Sequence, residues 1–169
     1  MTTITHLSET VNLSGELPRI GTTAPDFRLT RTDLSDVTLA DYAGKRKVLS
    51  IVPSLDTRTC AMSAKEFNAH AAALAQTVVL NISADLPFAA ARFSETEGID
   101  GVEALSMMRD HSFATDYGVL QLDGPMAGLT ARAVLVLDRN NRVIHTELVP
   151  EIRQEPDYTA ALKALETAE

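Results

Sequence analysis

Cys60 is the single cysteine of this 169-residue chain, and its setting is the strongest chemical signal in the sequence. It follows a polar, turn-like stretch at residues 54–59, and Cys60, Ala64 and Phe67 then recur at spacings that predict one face of a helix. Thr59 is the expected N-cap of that helix. Unpaired backbone N–H groups and the positive end of the macrodipole at a helix start favour a thiolate over a thiol. The pattern predicts a nucleophile, with a small buried apolar residue as the alternative.

Arg132 is the second candidate, since it lies between Ala131 and Ala133 at the start of a strongly apolar stretch. An arginine is almost never buried without an anionic partner. A guanidinium held opposite a thiolate would stabilise the charged form of the sulfur. The alternative is an arginine at a strand end that reaches solvent or a surface carboxylate. The sequence by itself does not pair Arg132 with Cys60.

Thr57 and Pro53 precede the cysteine in the same loop. The Thr57 hydroxyl could both donate and accept hydrogen bonds beside the sulfur, although a simple turn threonine is the commoner case. Pro53 ends the apolar run at residues 48–52, because proline cannot donate to a strand ladder. The order of residue types therefore predicts a buried strand, a tight polar loop and a helix.

The rest of the pattern supplies the elements that must position these side chains. Apolar runs and turn residues predict an N-terminal hairpin at residues 3–13 and later strands at 27–32, 48–52, 77–83, 102–105, 131–137 and 142–149, with a turn at 34–37. Helices are predicted from Cys60, over 85–97 with Asp85 as cap, over 112–117 and over 157–168. This order indicates an α/β, thioredoxin-like fold, in which helices flank a central mixed β-sheet and an N-terminal β-hairpin is added.

Composition narrows the class of protein. A hydrophobic content of 45% suits one domain over residues 1–169, and no apolar run is long enough to span a membrane. The net charge of -8 disfavours nucleic acid and anionic membranes as partners. The four histidines are scattered, so neither a metal site nor a cofactor is expected. A lone cysteine without a secretory signal pattern predicts a cytoplasmic protein.

One eight-residue segment carries a family resemblance. Residues 53–60 read P-S-L-D-T-R-T-C and match the peroxiredoxin pattern P-x-x-x-T-x-x-C. More narrowly, the chain resembles the bacterial thiol peroxidases, the atypical two-cysteine branch of that family. Other matching segments are D-L-S-D-V-T-L from Asp33, A-G-K-R-K-V-L from Ala43, S-A-D-L-P-F-A from Ser83, D-G-P-M-A-G-L-T-A-R-A-V from Asp123 and L-V-P-E-I-R-Q-E-P-D-Y from Leu148. The likeness covers essentially the whole chain.

The resemblance implies a role for each candidate residue. Cys60 would be the peroxidatic cysteine, whose thiolate attacks the terminal oxygen of a hydroperoxide and becomes a sulfenic acid. Thr57 would bind and orient the peroxide, and Arg132 would stabilise both the thiolate and the leaving oxygen. Pro53 would shield the sulfur from water. The resemblance also implies hydrogen peroxide and organic hydroperoxides as substrates, thioredoxin as reductant and a homodimer.

Ser94 departs from the family pattern, because the resolving cysteine is expected after the R-F pair at this position. A serine cannot condense with a sulfenic acid, so an intrachain disulfide cannot form. One explanation is an engineered replacement of cysteine by serine, made to hold the reduced conformation. The other is a natural one-cysteine peroxidase that an external thiol resolves. The first is favoured, since serine is nearly isosteric with cysteine and the rest of the chain matches.

Other functions fit the sequence less well. A disulfide reductase needs C-x-x-C, and Thr57 occupies the first of those positions. A cysteine hydrolase needs a nearby base, and His70 lies ten residues along the same predicted helix. A non-enzymatic redox sensor, in which oxidation of Cys60 changes a partner surface, stays open.

Overall fold

The computed structural model describes residues 1–71 and 73–168, and within them the strands form a hairpin and one larger sheet. The hairpin pairs β1 (Thr3–His6) with β2 (Glu9–Asn12), as predicted. The larger sheet contains β3 (Leu29–Arg31), β4 (Asp36–Val37), β5 (Arg46–Ile51), β6 (Thr77–Ser83), β7 (Glu103–Ser106), β8 (Ala133–Leu137) and β9 (Val143–Leu148). Their spatial order is β4-β3-β7-β6-β5-β8-β9. β5, β6 and β7 run parallel and the other neighbours antiparallel, which confirms a mixed sheet.

Helices cover both faces of this sheet. They are α1 (Arg58–Ala71), α2 (Pro87–Glu97), α3 (Ser112–Asp116) and α4 (Tyr158–Thr167), and a short 3-10 helix spans Leu39–Tyr42. Buried side chains of α1 and α4 and the partly buried Phe93 of α2 pack on one face, whereas α3 and the N-terminal hairpin pack on the other. Among the described residues, no helix is both long and apolar enough to cross a bilayer.

The central strands are apolar on both faces because both faces are covered. Val48 of β5 and Val79 of β6 pair in register and pack toward α1 and α4. Leu49 and Leu80, one residue further along each strand, pack into the opposite core. This alternation explains why residues 48–52 read as a mostly apolar run, interrupted only by Ser50. The parallel strands end at one edge, and the loops that follow β5 and β6 meet there.

Several boundaries differ from the sequence-based expectation. The strand predicted at 27–32 is reduced to β3, and the predicted turn at 34–37 contains β4, which pairs with it. β8 begins after Arg132 and not at residue 131. α1 begins at Arg58, two residues before Cys60, so the cysteine lies within the first turn and does not open it.

The two predicted helix caps near the cysteine are wrong. The Thr59 hydroxyl donates to the carbonyl of Arg153 at 3.0 Å, and Thr57 performs the capping role at the start of α1. Leu86 is the N-cap of α2 and no side chain caps that helix, so Asp85 is not its cap. In both cases a partner distant in sequence competes for the polar side chain. By contrast, Gly98 ends α2 in the left-handed conformation, as its position predicted.

Candidate active site

Cys60 is fully buried in the first turn of α1. It packs in a small cluster with Val52 and Leu55, which lie at the end of β5 and in the following loop, and with Ala90 of α2. Its backbone N–H donates to the Thr57 hydroxyl at 3.3 Å. The sulfur therefore sits between the end of a central strand and the positive end of a helix, in surroundings that exclude water.

Arg132 donates a hydrogen bond from Nη1 to the Cys60 Sγ at 3.2 Å. Its Nε and Nη2 atoms both donate to the carbonyl of Ile152 at 3.1 Å. The arginine is 3% exposed and the cysteine 0%. The sheet register explains the meeting, since Ala133 pairs with Ile51 and Arg132 is therefore placed opposite the residue that follows β5. The two residues that the sequence could not pair lie in direct contact.

The N-terminal hairpin supports this arginine through the segment that carries Ile152. Thr5 donates its backbone N–H to the Pro150 carbonyl at 2.7 Å, and its own carbonyl accepts from the Ile152 N–H at 2.9 Å. Its hydroxyl donates to the Glu151 carboxylate at 2.8 Å. Burial acts to raise the pKa of Glu151, but hydrogen bonds from Thr5 and from backbone N–H groups outweigh it and hold this pKa below its ordinary value. The carboxylate is therefore a stable anchor for the segment at neutral pH.

Thr57 joins the loop to the start of α1. Its Oγ1 accepts from the Cys60 N–H at 3.3 Å and lies 3.2 Å from the Ser54 carbonyl, to which it can donate. The Ala61 N–H donates to the Thr57 carbonyl at 2.9 Å, which places Thr57 at the N-cap. One hydroxyl thus caps the helix and contacts the backbone of Cys60.

A cavity of about 880 Å³ opens over this group. Pro53, Thr57 and Arg132 form part of its wall, and Pro53 is itself buried. Further out, the wall includes the apolar side chains of Leu7 and Met62, which are 59% and 40% exposed. A small oxidant can therefore reach the groups that surround Cys60, and the mouth of the cavity offers apolar surface.

Comparison with known proteins shows the family of this chain. The Redoxin family profile matches residues 19–162. A thiol peroxidase of Leptospira interrogans serogroup Icterohaemorrhagiae serovar copenhageni is 49% identical over 170 residues, which cover 99% of each chain. The chain belongs to the redoxins, and within them to the thiol peroxidases. It therefore reduces peroxides at the expense of a thiol and serves as an antioxidant enzyme.

Solved structures show the same fold in other members of this family. A peroxiredoxin-like protein of Aquifex aeolicus superposes with a TM-score of 0.92 at 33% identity, covering 98% of this chain and 96% of that one. A thiol peroxidase of Chromobacterium violaceum superposes with a TM-score of 0.90 at 25% identity, covering 97% and 95%. The thioredoxin-like architecture predicted from the order of elements is confirmed.

Ser94 lies apart from this group of residues. It is half-buried on α2, and its carbonyl accepts from the Ile99 N–H at 2.9 Å near the end of that helix. Its neighbour Phe93 packs against the cluster around Cys60. Among the hydrogen bonds of the described residues, none joins Ser94 to Cys60. The structure therefore shows Cys60 buried and α2 continuous from Pro87 to Glu97.

Two contributors to the site were not predicted. The Ile152 carbonyl holds the guanidinium of Arg132, and the Asp85 carboxylate holds the loop that precedes α1. Both lie in segments already noted for their family likeness, but a backbone carbonyl carries no residue-type signal. The position of Asp85, two residues before Pro87, predicts a helix cap and gives no sign of a contact with the other loop.

Proposed function

We propose that Cys60 is the residue that reacts with peroxide, that Arg132 and Thr57 activate it and that Pro53 shields it. The observation that carries this assignment is the 3.2 Å hydrogen bond from the Arg132 guanidinium to the Cys60 sulfur, with both residues buried. A cation in such surroundings stabilises a thiolate more strongly than it would in water. The ionised sulfur is the nucleophilic form.

The reaction follows from the charges of these groups. The Cys60 thiolate attacks the terminal oxygen of the hydroperoxide, an S–O bond forms and the O–O bond breaks. The sulfur is oxidised to a sulfenic acid, and the remaining oxygen leaves as hydroxide or alkoxide and takes a proton to become water or an alcohol. Donors aimed at the developing oxyanion lower the barrier. Arg132 and Thr57 both line the cavity, which supports assigning the guanidinium and the hydroxyl as these donors.

The residues of the cavity wall also indicate which peroxides the enzyme would accept as substrates. Hydrogen peroxide needs only the polar end formed by Thr57 and Arg132. The apolar side chains of Leu7, Met62 and Met126 in the outer wall favour organic hydroperoxides, whose tails would cover them. We therefore infer that both classes react and that an apolar tail increases affinity.

Recycling of the sulfenic acid needs an external thiol in this chain. Ser94 cannot supply the second sulfur, so a dithiol reductant of the thioredoxin type would attack the oxidised Cys60 and release water. A second thiol of the reductant would then attack this mixed disulfide, release Cys60 as a thiol and leave the reductant as a disulfide. The family likeness supports thioredoxin itself, a homodimer and a cytoplasmic location, where thiols are kept reduced.

A single-turnover experiment tests the assignment. The reduced enzyme, mixed with cumene hydroperoxide, should consume one peroxide per Cys60 much faster than free cysteine does, and dimedone should trap a sulfenic acid at that residue. A Cys60→Ser variant is the matched control and should consume none. A rate no greater than that of free cysteine would instead favour the redox-sensor function.

A further inference from the structure

The Asp85 carboxylate receives hydrogen bonds from two different loops. Its Oδ1 accepts from the Ser54 hydroxyl at 2.7 Å, and its Oδ2 accepts from the Leu55 N–H at 2.7 Å and from the Ser83 hydroxyl at 2.8 Å. Ser54 and Leu55 lie between β5 and α1, whereas Ser83 and Asp85 lie at the end of β6 and before α2. Hydrogen bonds to a charged acceptor are about twice as strong as neutral ones. The carboxylate therefore fastens one loop firmly to the other.

The turn at residues 54–57 extends this anchor to the reacting groups. The Ser54 carbonyl accepts from the Thr57 N–H at 3.4 Å and lies 3.2 Å from the Thr57 hydroxyl. That hydroxyl accepts from the Cys60 N–H at 3.3 Å. Hydrogen bonds on both sides of Ser54 thus connect Asp85 to the hydroxyl that contacts the backbone of Cys60.

Asp85 is itself held by its neighbours, and both Asp85 and the turn border open space on one side. The Ser106 hydroxyl at the end of β7 donates to the Asp85 carbonyl at 2.5 Å. A cavity of about 560 Å³ lies between the 54–57 turn and α2, with Ser54, Leu55 and Phe93 in its wall. On the other side Leu55 packs in the buried cluster around Cys60, so this contact and the hydrogen bonds to Asp85 together set the position of the turn.

We propose that Asp85 is a positioning residue for peroxide reduction, which rests on the proposed role of Cys60. The carboxylate does not touch the substrate. It holds the 54–57 turn so that the Thr57 hydroxyl stands where the peroxide must be oriented for in-line attack. A displacement of about 1 Å in such a group can cost about 100-fold in rate. The same carboxylate joins the loop before α1 to the start of α2, the helix that carries Ser94.

The test compares two reactions of the same sulfur. Reduction of cumene hydroperoxide needs an oriented O–O bond, whereas alkylation of Cys60 by iodoacetamide does not. In Asp85→Ala we expect the ratio of peroxide rate to alkylation rate to fall by about 10- to 100-fold. Asp85→Asn keeps an acceptor oxygen and should restore most of that ratio. Asp26→Ala is the matched control, since that carboxylate joins the Phe27 and Leu39 N–H groups away from both cavities and its loss should leave the ratio unchanged.

The outcomes separate the two proposals. A parent chain that reduces peroxide no faster than free cysteine overturns the role of Cys60 and the role of Asp85 together. If the parent chain reduces peroxide quickly, three results would overturn the positioning role alone. These are an Asp85→Ala variant that keeps the parent ratio, an equal slowing of both reactions, and an Asp85→Asn variant that is no better than Asp85→Ala. Should Asp85→Ala fail to fold, Ser54→Ala removes one of the three donors, and a lowered ratio there supports the proposal while an unchanged ratio overturns it.

Discussion

Arg132 and Cys60 are 72 residues apart in the chain, yet the guanidinium Nη1 lies 3.2 Å from the sulfur. The contact is buried at both ends, so little water screens it. The carbonyl of Ile152 fixes the arginine from the other side through two of its nitrogens. Because the guanidinium is already held in place, the Arg132 side chain loses little further conformational freedom when it stabilises a developing negative charge.

Replacement of Arg132 by glutamine should slow the peroxide reaction. The variant loses the positive charge that faces Cys60, and the loss of one such donor typically costs about 100- to 1,000-fold. Stopped-flow measurement of peroxide consumption under single-turnover conditions gives the rate. Arg139→Gln, at an exposed turn position, is the control and should keep the parent rate. Equal rates in the parent and in Arg132→Gln would contradict the assigned role.

Replacement of Thr57 by valine should affect both stability and rate. The helix loses its cap, which costs about 1 kcal/mol of unfolding free energy, and the hydroxyl that contacts the Cys60 backbone disappears. Thr57→Ser keeps the hydroxyl and should restore both properties. Thr115→Val, which removes a hydroxyl from α3, serves as the remote control. Denaturant unfolding and single-turnover kinetics measure the two effects, and a fully active Thr57→Val would remove this residue from the mechanism.

Restoration of sulfur at residue 94 should complete the catalytic cycle. In Ser94→Cys, peroxide treatment should consume both thiols without crosslinking chains, because the sulfenic acid at Cys60 condenses with the new thiol. The disulfide should then be reduced by thioredoxin in repeated turnovers. Mass spectrometry of the peroxide-treated chain and a coupled thioredoxin assay check these results. Ser112→Cys, at a different helix, is the control and should give no such disulfide.

Recovery of cycling would favour the explanation that Ser94 replaces an original cysteine. If Ser94→Cys forms no intrachain disulfide although its first reaction with peroxide is fast, the chain is better explained as a one-cysteine enzyme. The two explanations predict the same behaviour of Cys60 itself, so this variant is needed to separate them.

Asp123 should make stability depend on acid pH. Hydrogen bonds from the Asn12 side chain and backbone N–H lower the pKa of this carboxyl below its usual 3.8, and they tie β2 to the loop around Asp123. A folded-state pKa below the unfolded one stabilises the fold above the unfolded value, and that contribution is lost as pH falls through the folded value. The difference in unfolding free energy between the parent and Asp123→Ala should therefore shrink as the pH falls below 3.8. Asn12→Ala should show the same trend, and a difference that stays constant with pH would refute it.

Local patterns were sufficient for the elements around the cysteine. The strand at 77–83 was predicted to the residue, and the hairpin, the strand–loop–helix order around Cys60 and the stop at Gly98 were all predicted. Such features depend on side-chain periodicity and on backbone preferences within a few residues. The predicted helix caps were wrong where a residue distant in sequence forms a hydrogen bond with the polar side chain. Arg153 is this partner for Thr59, and Ser54 is the partner for Asp85.

The sequence alone therefore predicted Cys60 as a nucleophile and placed it in the first turn of a helix, because both inferences depend on its immediate neighbours. Only the folded structure showed that Arg132 faces the sulfur, that the Ile152 carbonyl holds it and that Asp85 fastens the preceding loop. Each of these contacts joins segments that meet through strand register and chain crossing. Pairings of that kind follow from how the whole sheet assembles, and no short stretch of sequence encodes them.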